Sequence, residues 1–363
     1  MNEDVYLKLC ARLNQNAAKL PPIGGVLNLL RELFTAEQAA LAAQMPLGAH
    51  TLKNLAVLLN RDEARLEQML EAMADEGTIF VVKKENNEKE YAVPPFAPGI
   101  LELQFLKGEE TDKARKRAKL IAKMHEELGV VLNELYKDVE LANKKLGTPG
   151  LRTLAVEEEL PSNAEIVTWE RISEMIKQEE SFAIGTCTCR QQTKFEGHPC
   201  KIDDVPMEAC VYFGKAADFI VDRKFGRRLS REELREFLKK CGKYGLMHNI
   251  NNFLGNNIVL CNCCGCCCEI LIPMIKHRGL KRIVASNFVA VVDPESCIGC
   301  GECVDLCQMI AIDMQDDIAR INQDYCMGCG NCVSQCPAES LSLVRCSDYK
   351  PRQQRDDIVG FGL

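Results

Sequence analysis

Twenty-one cysteines occur in this chain of 363 residues, and their distribution is lopsided: Cys10 stands alone in the first 186 residues, and the other twenty run from Cys187 to Cys346. In a reducing compartment such thiols serve as metal ligands rather than disulfides, because thiolates bind metal where disulfides do not persist. The most regular pattern is a repeat. Cys297, Cys300, Cys303 and Cys307 recur as Cys326, Cys329, Cys332 and Cys336, each shifted by 29 residues. Both halves read C-x-x-C-x-x-C-x-x-x-C, within CIGCGECVDLCQ and CMGCGNCVSQCP. A tight glycine-containing turn lets three nearby thiolates reach three irons of one cubane, and the fourth cysteine, too far along the chain, serves the other cluster. Zinc sites instead pair two C-x-x-C knuckles. The chemistry expected here is one-electron transfer.

These residues resemble the dicluster bacterial ferredoxins over about residues 291–345. Carried over position by position, the resemblance implies one [4Fe-4S] cluster on Cys297, Cys300, Cys303 and Cys336. It implies a second on Cys326, Cys329, Cys332 and Cys307. The sequence departs from that family at Gln308, where proline is usual, and keeps Pro337 in the second half. IAIDMQDDIARI and SLSLV supply short strands to cover the clusters.

Ten further cysteines form two groups, each following a short apolar run that reads as a strand. The first is ESFAIGTCTCR with Cys187 and Cys189, followed by Cys200 and Cys210; the second is NNIVLCNCCGCCC, with Cys261, Cys263, Cys264, Cys266, Cys267 and Cys268. Two strand ends delivering C-x-C loops can meet across one site at a sheet edge. Alternate residues of an extended segment point to opposite sides, so three or four of these thiols are expected to converge. Cys187, Cys189, Cys261 and Cys263 are the expected core of a central metal centre, with Cys200, Cys210, Cys264, Cys266 and Cys267 competing for places. A further iron–sulfur cluster is expected ahead of zinc, because a covalently linked ferredoxin module needs a redox neighbour. Cys10, Cys241 and Cys346 read as ordinary thiols. Arg190, next to CTC, is a candidate to offset thiolate charge. His198 and His248 read as ordinary packed or surface histidines. No Walker A motif, G-x-G-x-x-G after a strand, or nucleophile elbow is present.

The elements that must carry these residues read as an α+β chain. GGVLNLLRELF, TAEQAALAAQM, TLKNLAVLLN and RDEARLEQMLEAMADEG predict four short helices, with Thr35 and Thr51 as N-caps and Gly77 as a stop. TIFVVKK and KEYAVPP around ENNE predict a β-hairpin. Helices followed by a hairpin resemble a winged-helix domain over about residues 24–95. The helix in the recognition position carries six acidic residues between Asp62 and Glu76 and one basic, Arg65, which repels phosphates and argues against DNA binding. A basic helix is expected over about 111–145. The expected units are a winged-helix-like domain (1–95), a helical connector (96–165), a cysteine-rich α/β central domain (166–290), a ferredoxin-like dicluster domain (291–350) and a tail (351–363). The chain as a whole resembles a group of anaerobe iron–sulfur proteins with the same order of segments, a likeness that speaks to domain order rather than chemistry.

The net charge of −7 argues against a nucleic-acid-coating protein. MNEDVYLKLC lacks a basic region followed by a long apolar run, and no stretch of about 18 apolar residues occurs, so membrane insertion is not expected and a cytoplasmic location is. The functional expectation is an iron–sulfur electron-transfer protein or redox-enzyme subunit. Its two clusters would relay electrons between a redox partner protein and the central centre. Whether that centre is open to a small-molecule substrate, making the chain a reductase, or closed, making it a relay, is left open by the sequence, as is homo-oligomerisation. The alternatives are a redox-sensing winged-helix regulator and an iron–sulfur cluster scaffold.

Overall fold

The structure is a computed structural model that describes residues 4–15, 20–84, 86–162, 164–255 and 257–353. The N-terminal helices form where the sequence places them: Gly24–Leu33, Ala36–Gln44, Leu52–Leu59 and Glu63–Asp75, preceded by Val5–Leu13, which was not anticipated. Thr35 closes a capping box with Gln38, and the Thr51 hydroxyl accepts from the Asn54 N–H at 3.3 Å. Strand β1 (His50–Thr51) lies beside the hairpin of β2 (Phe80–Lys83) and β3 (Lys89–Ala92), in the order β1-β3-β2.

The acidic helix Glu63–Asp75 faces the rest of the chain through Arg223, which pairs with Glu71 and Asp75 at 2.7 Å each. Arg223 caps the helix Gly214–Asp222, whose Phe219 packs on Phe80 with ring centroids 4.2 Å apart. The expected basic helix is two helices, Asp112–Tyr136 and Val139–Leu146, because Asp138 caps the second by accepting from the Leu141 N–H. Its cations pair with the N-terminal unit: Lys116 with Glu32 at 2.5 Å, Lys113 with Glu76 at 2.6 Å and Arg117 with Glu76 at 2.8 Å.

The central sheet has seven strands: β4 (Leu151–Thr153), β5 (Phe182–Thr186), β6 (Glu208–Phe213), β7 (Arg227–Leu229), β8 (Met247–Asn251), β10 (Val259–Cys263) and β11 (Ile283–Val284), with the short β9 (Phe253–Leu254) outside it. The strand order is β11-β4-β8-β10-β6-β5-β7. Only β11 with β4 is a parallel pair. This corrects the α/β expectation for the central unit, since strands joined mostly as antiparallel neighbours give an α+β arrangement. The first strand, β4, comes from the segment read as a helical connector. The C-terminal unit holds β12 (Phe288–Val292), β13 (Ile312–Gln315), β14 (Ile318–Ile321) and β15 (Leu341–Arg345), pairing β12 with β15 and β13 with β14. Beyond it β16 (Arg352–Gln353) runs parallel to β9. Among the described residues, no helix is long and apolar enough to cross a membrane.

The cysteine-rich loop and the C-terminal unit touch backbone to backbone. A Cβ added at Gly265 would lie 2.2 Å from the Gln308 carbonyl oxygen, and the Gly265 N–H donates to Gln308 Oε1 at 2.8 Å. Gln308 therefore has a task that proline could not perform, accepting a backbone donor from the neighbouring unit.

Substitutions at these contacts have measurable consequences. Burial alone would raise the Glu71 carboxyl, but hydrogen bonds from Lys89, Arg223 and Tyr91 bring it down to about 2. A folded pKa below the unfolded one adds stability that is complete at neutral pH and lost as pH falls from about 4.5 towards 2. At pH 7, Arg223→Ala is expected to cost about 1 kcal/mol, kept small by solvent screening, and to raise deuterium exchange in Glu63–Asp75 and Gly214–Asp222. Unchanged exchange in both helices would refute the pairing. Gly265→Ala is expected to cost about 1–3 kcal/mol and raise exchange over 261–268 and 306–310. Gly129→Ala, in a helix with nothing within 4 Å of the added Cβ, is expected to stabilise by about 0.5–1 kcal/mol. Thermal melts of the two variants that move in the same direction would contradict this.

Candidate metal centres

In the C-terminal unit, Cys297, Cys300, Cys303 and Cys336 line one pocket that opens to solvent. Cys307, Cys326, Cys329 and Cys332 form a second group whose charges act on one another. Backbone donors point at these sulfurs: the Ala311 N–H to Cys307 Sγ at 3.2 Å and the Gly328 N–H to Cys326 Sγ at 3.4 Å. Hydrogen bonds from Ala319 and Gly299 lower the Cys297 thiol, favouring the thiolate that binds metal. Gly328, at φ +62°, lies where a Cβ would meet the Phe288 carbonyl oxygen at 1.9 Å. Thiolate donors, amide support and turns too tight for side chains fit a cluster-binding loop.

The central cysteines separate into two sites. The first is built on the sheet. Cys210 on β6 and Cys261 on β10 are directly opposed, and Cys263, two residues further along β10, shares their face. Cys187 follows β5 directly as the N-cap of the helix Thr188–Phe195, and Cys189 lies in that helix's first turn. Cys187 sits between Cys189 and Cys210, and its thiol is pulled well down by their hydrogen bonds. Cys189 is pushed well up by Cys187 and Cys268. Cys268 in turn meets Cys263, which neighbours Cys261. The six thiols are neighbours in the order 210, 187, 189, 268, 263, 261, and the two ends of that series, Cys210 and Cys261, are opposed on adjacent strands, an arrangement called the ring below.

Two carboxyls belong to the surroundings of this ring. Burial raises Glu102 to about 7, and burial followed by the charges of Glu102 and Cys268 raises Glu269 to about 8. Glu269 lies 3.3 Å from His125 Nε2, and burial lowers that imidazole. Neither carboxyl had a sequence signal that linked it to the thiols, although Glu269 follows Cys268 directly.

The second site is compact. The sulfurs of Cys200, Cys264, Cys266 and Cys267 all lie within 4.8 Å of one another. Cys200 is 3.7 Å from Cys264 and 3.4 Å from Cys266, and Cys266 is 3.7 Å from Cys267. The Cys264 thiol is strongly lowered by hydrogen bonds from the other three. The six cysteines of CNCCGCCC are thus divided: Cys261, Cys263 and Cys268 face the ring, and Cys264, Cys266 and Cys267 face Cys200.

Of the expected central core, Cys187, Cys189, Cys261 and Cys263 are all in the ring. Cys210 joins them, whereas Cys200, Cys264, Cys266 and Cys267 stand apart. Cys268, absent from the expected ligand set, occupies the gap between Cys189 and Cys263; its signal was the turn at Gly265, which brings the chain back after four residues. Arg190 is 1% exposed and donates to the carbonyls of Pro206 and Asn262 at 2.8 Å each. Burial would lower its pKa, but the charges of Cys187, Cys264 and Cys200 reverse that and raise it. It therefore lies between the two thiol sites as their shared cation. His248 is buried with Nδ1 2.7 Å from Asn262 Oδ1, on the sheet face opposite Cys261 and Cys263, and lines no part of the ring.

No curated protein matches the chain. Residues 290–337 match the family of 4Fe-4S dicluster domains. With the thiol-lined pocket and the amide-supported loops, this makes the C-terminal unit a ferredoxin-like iron–sulfur domain in a larger, mixed helix-and-sheet chain that also gathers four cysteines able to hold a metal ion.

Proposed function

We propose that the chain is an iron–sulfur electron-transfer protein whose C-terminal domain exchanges single electrons with a polynuclear centre held in the six-thiol ring. Cys297, Cys300, Cys303 and Cys336 would hold one [4Fe-4S] cluster, and Cys307, Cys326, Cys329 and Cys332 the other. Bound clusters would supply one-electron redox chemistry. The observation that carries this reading is a single apolar cluster in which Cys263 and Cys268 of the ring pack with Met309 and Met327, against Cys307 and Cys329. This cluster puts apolar side chains between the ring and the second ferredoxin set.

The other ferredoxin set supports an entry point for a redox partner protein. Cys300 is exposed and Ile298 beside it is 67% exposed, so a partner can approach the first cluster site closely. The N-terminal unit, read as winged-helix-like, would serve assembly rather than DNA binding, since two carboxylates of its acidic helix are paired with Arg223. A reducing, cytoplasmic setting suits this many thiolates.

The test is iron and acid-labile sulfide analysis with EPR on the anaerobically purified full chain and on Cys263→Ser and Cys329→Ser. The reading expects more than the about eight irons of two cubanes. Cys329→Ser is expected to change the ferredoxin signals, and Cys263→Ser to lower iron while leaving those signals in place. About eight irons in the wild type, unaltered by Cys263→Ser, would remove the ring centre from the scheme.

A further inference from the structure

The four-thiol site differs in kind from the others. Four sulfurs held at about 2.3 Å around one tetrahedral ion lie about 3.8 Å from each other. The sulfur pairs at 3.4 and 3.7 Å match that edge length. A cubane spreads its four cysteine sulfurs further apart, because irons and sulfides lie between them. The same chain provides the comparison: among the described residues, no three ferredoxin thiols come within 4.8 Å of one another, whereas all four of this site do. A two-iron cluster would divide the thiols into two separated pairs, which mutual proximity excludes.

We propose that Cys200, Cys264, Cys266 and Cys267 hold a single zinc ion in a closed tetrahedral tetrathiolate site. Four protein ligands leave no open position, so the ion is structural rather than catalytic. Zinc exceeds ferrous iron in affinity for a given donor set, and thiolates suit it. What the ion fastens is visible. Residues 198–207 carry no helix or strand, and Cys200, with Ile202 and Val205, is where this loop meets Cys264 and Cys267, beside Cys241 and Leu246. The ion would cross-link that loop to the turn 264–267, and its binding energy would become folding energy. This inference does not depend on what the ring holds.

The test uses the full chain purified anaerobically, with elemental analysis and zinc K-edge absorption spectroscopy of the wild type. One zinc per chain with four sulfur neighbours at about 2.3 Å is expected. Cys266→Ser, at a half-buried ligand, is expected to lower zinc at least tenfold and leave iron and sulfide per chain unchanged; Cys346→Ser is expected to change neither. Absence of zinc, zinc with oxygen or nitrogen neighbours, or loss of several irons in Cys266→Ser would overturn the assignment. A single iron in the tetrathiolate would overturn zinc as the occupant. The wild-type spectrum decides the matter even if the Cys266→Ser chain does not fold.

Discussion

The arrangement of this molecule depends on Gly265 having no side chain. Its backbone lies against the Gln308 carbonyl, closer than any Cβ could be accommodated, and its N–H is taken up by the Gln308 side chain. Gly265 is in the middle of the loop that carries six thiols, and Gln308 immediately follows Cys307 of the ferredoxin-like domain. A side chain at this point would separate the two units and open the apolar contact between ring and ferredoxin thiols. Gly245 repeats the constraint nearby: at φ +67°, an added Cβ would meet the Leu306 carbonyl oxygen at 2.5 Å. Close backbone approach at Gly265 and Gly245 lets the side chains of the two units meet in one apolar cluster.

The second constraint is charge. Ten thiols are gathered in the two central sites, and thiolates in a low-dielectric interior are costly unless paired or metal-bound. The chain provides a buried guanidinium, Arg190, fixed by two carbonyls between the thiol sites. Its other response is sharing: Cys187 and Cys264 each accept from neighbouring thiols, so the thiolate form concentrates at one position per site. Metal ions would complete what these hydrogen bonds begin. The carboxyls of Glu102 and Glu269, both raised, add little anionic charge at neutral pH.

The sequence made the local features legible. The caps at Thr35 and Thr51 and the hairpin after Gly77 are written within a few residues of one another, and they form as read. The division of the central thiols was not legible, because it rests on long-range register. Cys210 joins Cys261 only through the pairing of β6 with β10, and Cys200 leaves Cys210 only because an irregular loop carries it to the other side. Period-two alternation correctly put Cys261 and Cys263 on one face but stopped being informative at Gly265, where the strand ends. Gln308 was visible as a departure from the ferredoxin pattern; its reason lay in a partner 43 residues earlier.

These pieces connect in the eight residues of CNCCGCCC. The strand end gives Cys261 and Cys263 to the ring, the turn gives Cys264, Cys266 and Cys267 to the four-thiol site, and the Cys268 N–H closes the turn on the Cys264 carbonyl at 3.1 Å. Cys268 then returns to the ring. The placement of Cys268 beside Cys189 and Cys263 therefore rests on the backbone of this turn, which the Cys268 N–H closes, and not on the side chains of Cys264, Cys266 and Cys267. The two sites share one short segment of backbone. One turn divides the thiols, and Cys268 leaves it within the apolar cluster that reaches Cys307.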